Sequence, residues 1–253
     1  MSVPPRIELL ALDGLPLVQP GDDLAGLIAA ALDRAGLVLR VGDVLVVAQK
    51  IVSKAEGRRV ALADVTPSVP ALALAQQVGK DARLVELILR ESRRVVRKAP
   101  GVLIVEHRLG LVMANAGIDQ SNVEDGFALL LPEDPDASAE RLRARLAPSA
   151  GMRLGIVIND SFGRPWRRGT VGTAIGAAGL PALVDRRGEA DLFGRPLQVT
   201  MIALADEIAA SASLLMGPAA EGLPVVLLRG VPWSAPASPV RALLRPANED
   251  LFR

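Results

Sequence analysis

The sequence predicts an α+β fold, with mixed sheets, helices and long loops, and three observations lead to it. Short continuous apolar runs at Val44–Ala48 and at residues 154–158 and 224–228 read as strands buried on both faces. Segments with apolar residues at helical spacing lie between them, but without strict β–α–β alternation. The chain has 253 residues and is 50% hydrophobic, which fits one large domain or two small ones and is enough for a sizeable aliphatic core.

Taken in order, residues 6–12 read as a first strand, ended by the Asp13-Gly14 turn. Asp22 or Asp23 caps a helix whose Leu24, Leu27, Ile28 and Leu32 share one face, with Gly36 at its end. The strand Val44–Ala48 feeds a polar segment, residues 49–59, carrying Lys50, Ser53, Lys54, Glu56 and Gly57. Helices are expected near residues 71–78 and 82–96. The basic run Arg93, Arg94, Arg97 and Lys98 suits the C-terminus of the second. Residues 102–106 and 110–113 read as strands around a turn at His107-Arg108. Residues 114–125, rich in Asn, Asp, Gly and Ser, read as a loop. A polar helix follows at 138–146. The strand at 154–158 runs into a long Gly- and Arg-rich loop. Residues 197–204 read as a strand, 206–215 as an Ala-rich helix with an acidic start, and 224–228 as the last strand. Residues 232–253, with four prolines, read as irregular.

Composition narrows the chemistry. With no cysteine and a single histidine, thiolate nucleophiles, disulfides and multi-His or Cys-ligated metal sites are excluded. Ser161 has no histidine paired with it in the pattern, which argues against a hydrolase triad. The net charge is +1 and aromatics are 2%, so neither a nucleic-acid partner nor a base-stacking surface is expected. No apolar run approaches the roughly 20 residues of a membrane span. The start MSVPPRIELL lacks a basic region followed by an apolar core, so a cytoplasmic protein with no membrane association is expected. Neither GxxxxGK[ST] nor GxGxxG occurs, which excludes a P-loop and a dinucleotide fingerprint.

Polar residues at the ends of apolar strands carry the remaining signal. Asp160-Ser161 follows the 154–158 run and precedes Arg164, Arg167 and Arg168. A carboxylate and a hydroxyl suit a hard divalent cation, and arginines suit phosphate or carboxylate oxygens; the bland reading is a capped turn with solvated arginines. Asp119 offers a second carboxylate, with Asn122 near it, unless the segment is an ordinary Asx-rich turn. Gln49, Lys50 and Lys54, after a buried strand, suit a triphosphate, or are simply a solvated segment.

Together, GDVLVVAQKIVSKAEGR, MANAGIDQSNV, NDSFGRPWRRGTVGTAIG and SLLMGPAAEGLPVVLLRG, in that order, resemble the coenzyme F420-0:γ-glutamyl ligases. The resemblance runs from about Leu15 to Gly230. It implies that family's α+β fold in a stand-alone form without a C-terminal reductase domain, and an intertwined homodimer. The implied activity is GTP-dependent addition of L-glutamate to coenzyme F420-0 through an acyl phosphate, with further γ-linked glutamates open to it. Mn²⁺ or Mg²⁺, two ions in all, and K⁺ are the implied cofactors. Position by position, Asp119 and Asp160 match catalytic, metal-binding aspartates and Ser161 a hydroxyl ligand. Leu15, Pro16, Leu17, Val18, Gln49, Lys50, Lys54 and Asn122 match the guanine-nucleotide site. One departure stands out: Met216-Gly217 is followed by Pro218, where family members often carry a polar metal-binding residue, and Glu221 is the nearest substitute. The alternative on the same residues is a metal-dependent nucleotide phosphohydrolase, or a ligase for a different carboxylate acceptor.

Overall fold

In the computed structural model, which describes residues 4–147, 149 and 151–250, the α+β expectation holds. The central sheet has five strands: β1 (Glu8–Leu12), β2 (Val44–Ala48), β8 (Gly155–Arg164), β9 (Arg167–Ala178) and β12 (Val225–Arg229). Their spatial order is β1-β12-β2-β8-β9, with β2 and β8 parallel and every other pair antiparallel. The apolar runs are continuous because both faces are covered. Leu45, Val47, Ile156 and Ile158 face α1 (Leu24–Arg34) and α5 (Pro135–Leu146); Val44, Val46, Val157 and Val226 face α6 (Leu204–Met216). Asp23 caps α1 by accepting the Gly26 N–H, and Gly36 follows in the left-handed conformation that ends a helix.

The middle of the chain builds a lobe with its own core of Val85, Ile88, Leu103 and Val105. It contains β3 (Arg59–Ala61), α3 (Val69–Val78), α4 (Ala82–Arg90), β4 (Ser92–Ala99), β5 (Val102–His107), β6 (Val112–Ala114) and β7 (Phe127–Leu129). Here the sequence reading needs two corrections. The helix expected to reach residue 96 stops at Arg90, where the Ser92 hydroxyl takes the Ile88 carbonyl, and the basic run lies on the edge strand β4. There Arg93 and Arg94 pair with Glu106, and Lys98 donates to Gln77, so no helix dipole is involved.

His107 is the second correction. It is the fully buried last residue of β5 and not a turn residue. Its Nδ1 accepts the Leu109 N–H at 3.0 Å, which puts the ring proton on Nε2, 3.4 Å from Glu91 Oε2 but off hydrogen-bond alignment. Glu91 also receives Arg58 at 3.0 Å and Arg108 at 3.1 Å. Burial works to raise the Glu91 carboxyl, but the His107 ring, Arg108 and Arg58 outweigh it and hold it at about 2. An acid held below its ordinary value of about 4.3 stabilises the fold fully above that pH and loses the contribution as pH falls toward 2. Glu91→Gln is therefore expected to be about 3 kcal/mol less stable than the parent at pH 7. The difference should shrink steadily in urea melts repeated down to pH 3; a constant gap would contradict this.

Three further readings change in the structure. The polar segment after β2 is a helix, α2 (Gln49–Ala55). The Gly- and Arg-rich loop is in fact the β8–β9 hairpin, turning at Pro165-Trp166 and closed by the Arg164–Arg167 pair. The strand expected at 197–204 shrinks to β11 (Met201–Ile202), paired with β10 (Val184–Asp185). Among the described residues, no helix is long and apolar enough to cross a membrane.

Candidate functional site

β2 ends against its parallel neighbour β8, with its last residue Ala48 opposite Asn159, while β8 runs on to Arg164. A cleft of about 790 Å³ opens there, at the carboxyl ends of strands where open sheets commonly place ligands. Leu15, Pro16, Leu17 and Val18 form one rim, and Gln49, Lys50 and Lys54 come from α2. Asn122 reaches in from the lobe, and the loop after α6, residues 217–224, closes the far side. Asp160 and Ser161 lie on β8 itself. Apart from Asp119, every residue that the family resemblance matches to the site lines this one cleft. Arg164, Arg167 and Arg168 do not: the lining stops at Ser161 on β8 and Thr170 on β9, short of the hairpin tip.

Asp119 stands behind the lining and is tied to it. Lys50 Nζ lies 2.8 Å from Asp119 Oδ2 and also donates to Ser121 Oγ at 2.6 Å and to the Ser121 carbonyl at 3.2 Å. Burial works to raise the Asp119 carboxyl, but Lys50 and the Ser121 N–H prevail and hold it below its usual range. The backbone of Asp119 exchanges both hydrogen bonds with Leu129 in β7, which fixes the loop to the lobe. Asn115, Ala116 and Asn122 all have φ between 53° and 56°. For the fully buried Ala116 that conformation costs about 1–3 kcal/mol, strain held in place at this site by the packing around it.

Two more contacts join lobe and sheet. Lys54 Nζ donates to the Asn122 carbonyl at 2.8 Å, and Asn122 Nδ2 donates across the cleft to the Ala219 carbonyl at 3.0 Å. Burial, with Lys50 nearby, depresses the Lys54 ammonium below its usual range.

Asp160 is the electrostatic anomaly. Burial pushes its carboxyl up to about 7; the Asp119 carboxylate adds to the rise, and the Ser161 N–H and Lys50 offset it only in part. The Ser161 N–H, at 2.8 Å, is the hydrogen bond it receives. Two neighbouring carboxylates, one barely stabilised as an anion, form a place where a divalent cation would relieve the charge. Among the described residues, no group of three or more His, Cys, Asp and Glu forms a complete cage. An acidic pair with an adjacent hydroxyl instead suits a cation shared with phosphate oxygens.

Sequence reasoning did not single out Asn159, Ser213, Met216 and Gly172, which form the α6 side of the cleft. Gly172 was hidden because β9 was not read as a strand, and nothing in the spacing of the other three marks them as lining a cleft. Nor does Glu221 reach the cleft: its carboxylate accepts the Ala219 N–H at 2.8 Å and packs against Gly217, where a Cβ would sit 2.1 Å from its carboxyl carbon. It braces its own loop.

Comparison with known proteins gives the family. The profile of the family described as F420-0:Gamma-glutamyl ligase matches residues 14–230. The coenzyme F420:L-glutamate ligase of Methanothermobacter thermautotrophicus is 50% identical, over 98% of this chain and 99% of its own length. Those of Methanopyrus kandleri and Archaeoglobus fulgidus are 47% and 45% identical, over 98% of this chain and 99% and 97% of theirs. On the ordered motifs, the fold and these matches, the chain belongs to the F420-0:γ-glutamyl ligase family.

Proposed function

We propose that the chain is a GTP-dependent ligase that joins L-glutamate to coenzyme F420-0, with γ-linked additions of further glutamates open to it. In this reading a carboxylate oxygen of the acceptor attacks the γ-phosphorus of GTP, the bond to GDP breaks, and an acyl phosphate forms. The glutamate amine then attacks the acyl carbon, phosphate leaves, and the amine gives up a proton. Such transfer needs positioning and charge neutralisation more than a protein nucleophile, which fits a cleft without cysteine or histidine.

The observation that carries the reading is Asp160, raised toward neutrality beside Asp119 on the floor of a cleft that also holds Lys50 and Lys54. Gln49, Lys50, Lys54, Asn122 and the 15–18 rim would hold the guanine nucleotide. Asp119, Asp160 and Ser161 would hold Mn²⁺ or Mg²⁺, which when bound would screen the charge of the transferring phosphoryl group. K⁺ and a homodimer belong to the same reading. Trp166, Leu192, Phe193, Val199 and Leu214 are large exposed apolar side chains from the hairpin tip, the segment before β11 and α6, the kind of surface a second copy would cover.

The test is mass spectrometry of F420-0 incubated with L-glutamate, Mn²⁺ and the protein, with GTP or without it. Gains in glutamate-sized steps only with GTP are expected. GTP turnover that proceeds unchanged without F420-0 would point to the phosphohydrolase instead.

A further inference from the structure

The β8–β9 hairpin carries the strand of Asp160 on past the end of the cleft. Exposure along it alternates: Asp160, Phe162 and Arg164 are half-buried, while Ser161 and Gly163 between them are exposed. Asp160 and Arg164 therefore share a face, four residues and about 13 Å of strand apart.

At the tip, two arginines meet. Arg164 pairs with Arg167 to close the hairpin, beside an irregularity in register. The turn between them holds Trp166 at a φ of 58°, a conformation that a bulky residue rarely adopts. Like charges set opposite one another on a sheet work against it. Elsewhere in the chain arginines sit on carboxylates, as Arg229 does on Asp43 and Arg187 on Asp185. Among the described residues, Arg164 and Arg167 have no carboxylate. Arg164 lacks more than a counter-charge: its Nη1 is buried and makes no hydrogen bond. A guanidinium keeps its proton in a protein, so it cannot escape this cost by turning neutral. An anion between the two side chains would relieve both the repulsion and the idle donor.

Position says which anion. The lining of the cleft stops at Ser161 and Thr170, so a nucleotide held by Lys50 and Lys54 lies on the near side of the tip. F420-0 is a deazaflavin whose side chain carries a phosphodiester beside the reacting carboxylate. With that carboxylate at the γ-phosphate near Asp160, the phosphodiester lies outward, between the cleft and the tip.

We propose that Arg164 and Arg167 form an anion site for the phosphodiester of the acceptor, and so hold its carboxylate toward Asp160. Guanidinium forks match phosphate oxygens in pairs, which a lysine in either place would not do. The inference rests on F420-0 as the acceptor, yet its failure is separable. A chain that binds F420-0 through these arginines but adds no glutamate sinks the ligase and leaves this site standing. Glutamate addition with acceptor affinity untouched by the arginines does the reverse.

The experiment titrates the full chain, with saturating GDP and Mn²⁺, against F420-0 and against the ribityl deazaflavin without its phosphate, following deazaflavin fluorescence. The parent is expected to bind F420-0 about 10-fold or more tighter than the phosphate-free ring. Arg164→Gln should bind the two alike, at the weaker affinity, with GDP affinity within about twofold of the parent's. Arg164→Lys should restore only part of the difference. If Arg164→Gln does not fold, Arg167→Gln, at an exposed position, decides alone: lost discrimination supports the site, and parental discrimination removes it. A parent that does not distinguish the two ligands overturns the inference. So does an Arg164→Gln protein that distinguishes them as the parent does; a change in its sedimentation would then assign the arginines to a contact between copies. Equal loss of GDP and F420-0 affinity in Arg164→Gln also overturns it, since the arginines would then serve the nucleotide.

Discussion

Asp160→Ala is expected to cut glutamate addition by about a thousandfold or more, while the metal-free protein melts at a temperature no lower than the parent's. The first half follows from position. Asp160 is the carboxylate set into the sheet at the cleft floor, and removing one preorganised group from a charge-stabilising site costs about 10²–10³ in rate. Loss of a shared cation would add to that. The second half follows from the cost of keeping it. Its carboxyl is raised to about 7 by burial and by Asp119, so at neutral pH and above the ionised side chain works against folding. An alanine removes that repulsion. A single-turnover assay beside thermal melts in chelator checks both halves, and an active or strongly destabilised variant would remove Asp160 from the site.

Gly176→Ala should be the most damaging single methyl group in the sheet. A Cβ at this position would sit 2.4 Å from the Pro135 carbonyl oxygen and 2.5 Å from its carbon. Both are backbone atoms at the first turn of α5, so no rotamer change relieves the clash. The helix or the strand must move apart, at about 3 kcal/mol, which in a chain of this size lowers the melting temperature by roughly 6–12 °C. Gly163 on the same hairpin supplies the control. Nothing lies within 4 Å of its added Cβ, and Gly163→Ala should fall within about 0.5 kcal/mol of the parent. Equal melts for the two variants would show that α5 and β9 do not meet as closely as described.

These two positions also show what the sequence makes legible. Val44–Ala48 and the neighbouring buried strands stand out because an unbroken aliphatic run has few other uses in a chain this size. β9 was hidden. Its glycines at 172 and 176 are there because α6 and α5 press against the strand, a reason that only tertiary structure supplies. The helix over 82–96 was read past its true end, with the basic run placed at its C-terminus; pairing of residues 92–99 with β5, with two irregularities in register, decided otherwise. At the site, Asp160 and Asp119 were found as types, 41 positions apart in the numbering, but their nearness depends on how the lobe folds back on the sheet. Asn159 was passed over because an unpartnered oxygen has no signature in a string of letters.

The strand order β1-β12-β2 has a consequence for the protein's birth. β12 slots between the first two strands of the chain, so β1 and β2 have no hydrogen-bonded neighbour in common until residues 225–229 exist. The loop that closes the cleft immediately precedes those residues. At about 5–20 residues per second, a nascent chain spends roughly ten to thirty-five seconds with β2 made and β12 missing. For most of that interval the face of Val44 and Val46 that α6 covers is bare, and the rim of the cleft is unfinished. A ligand that needs the finished cleft can therefore bind only after the loop and the last strand of the sheet have been made.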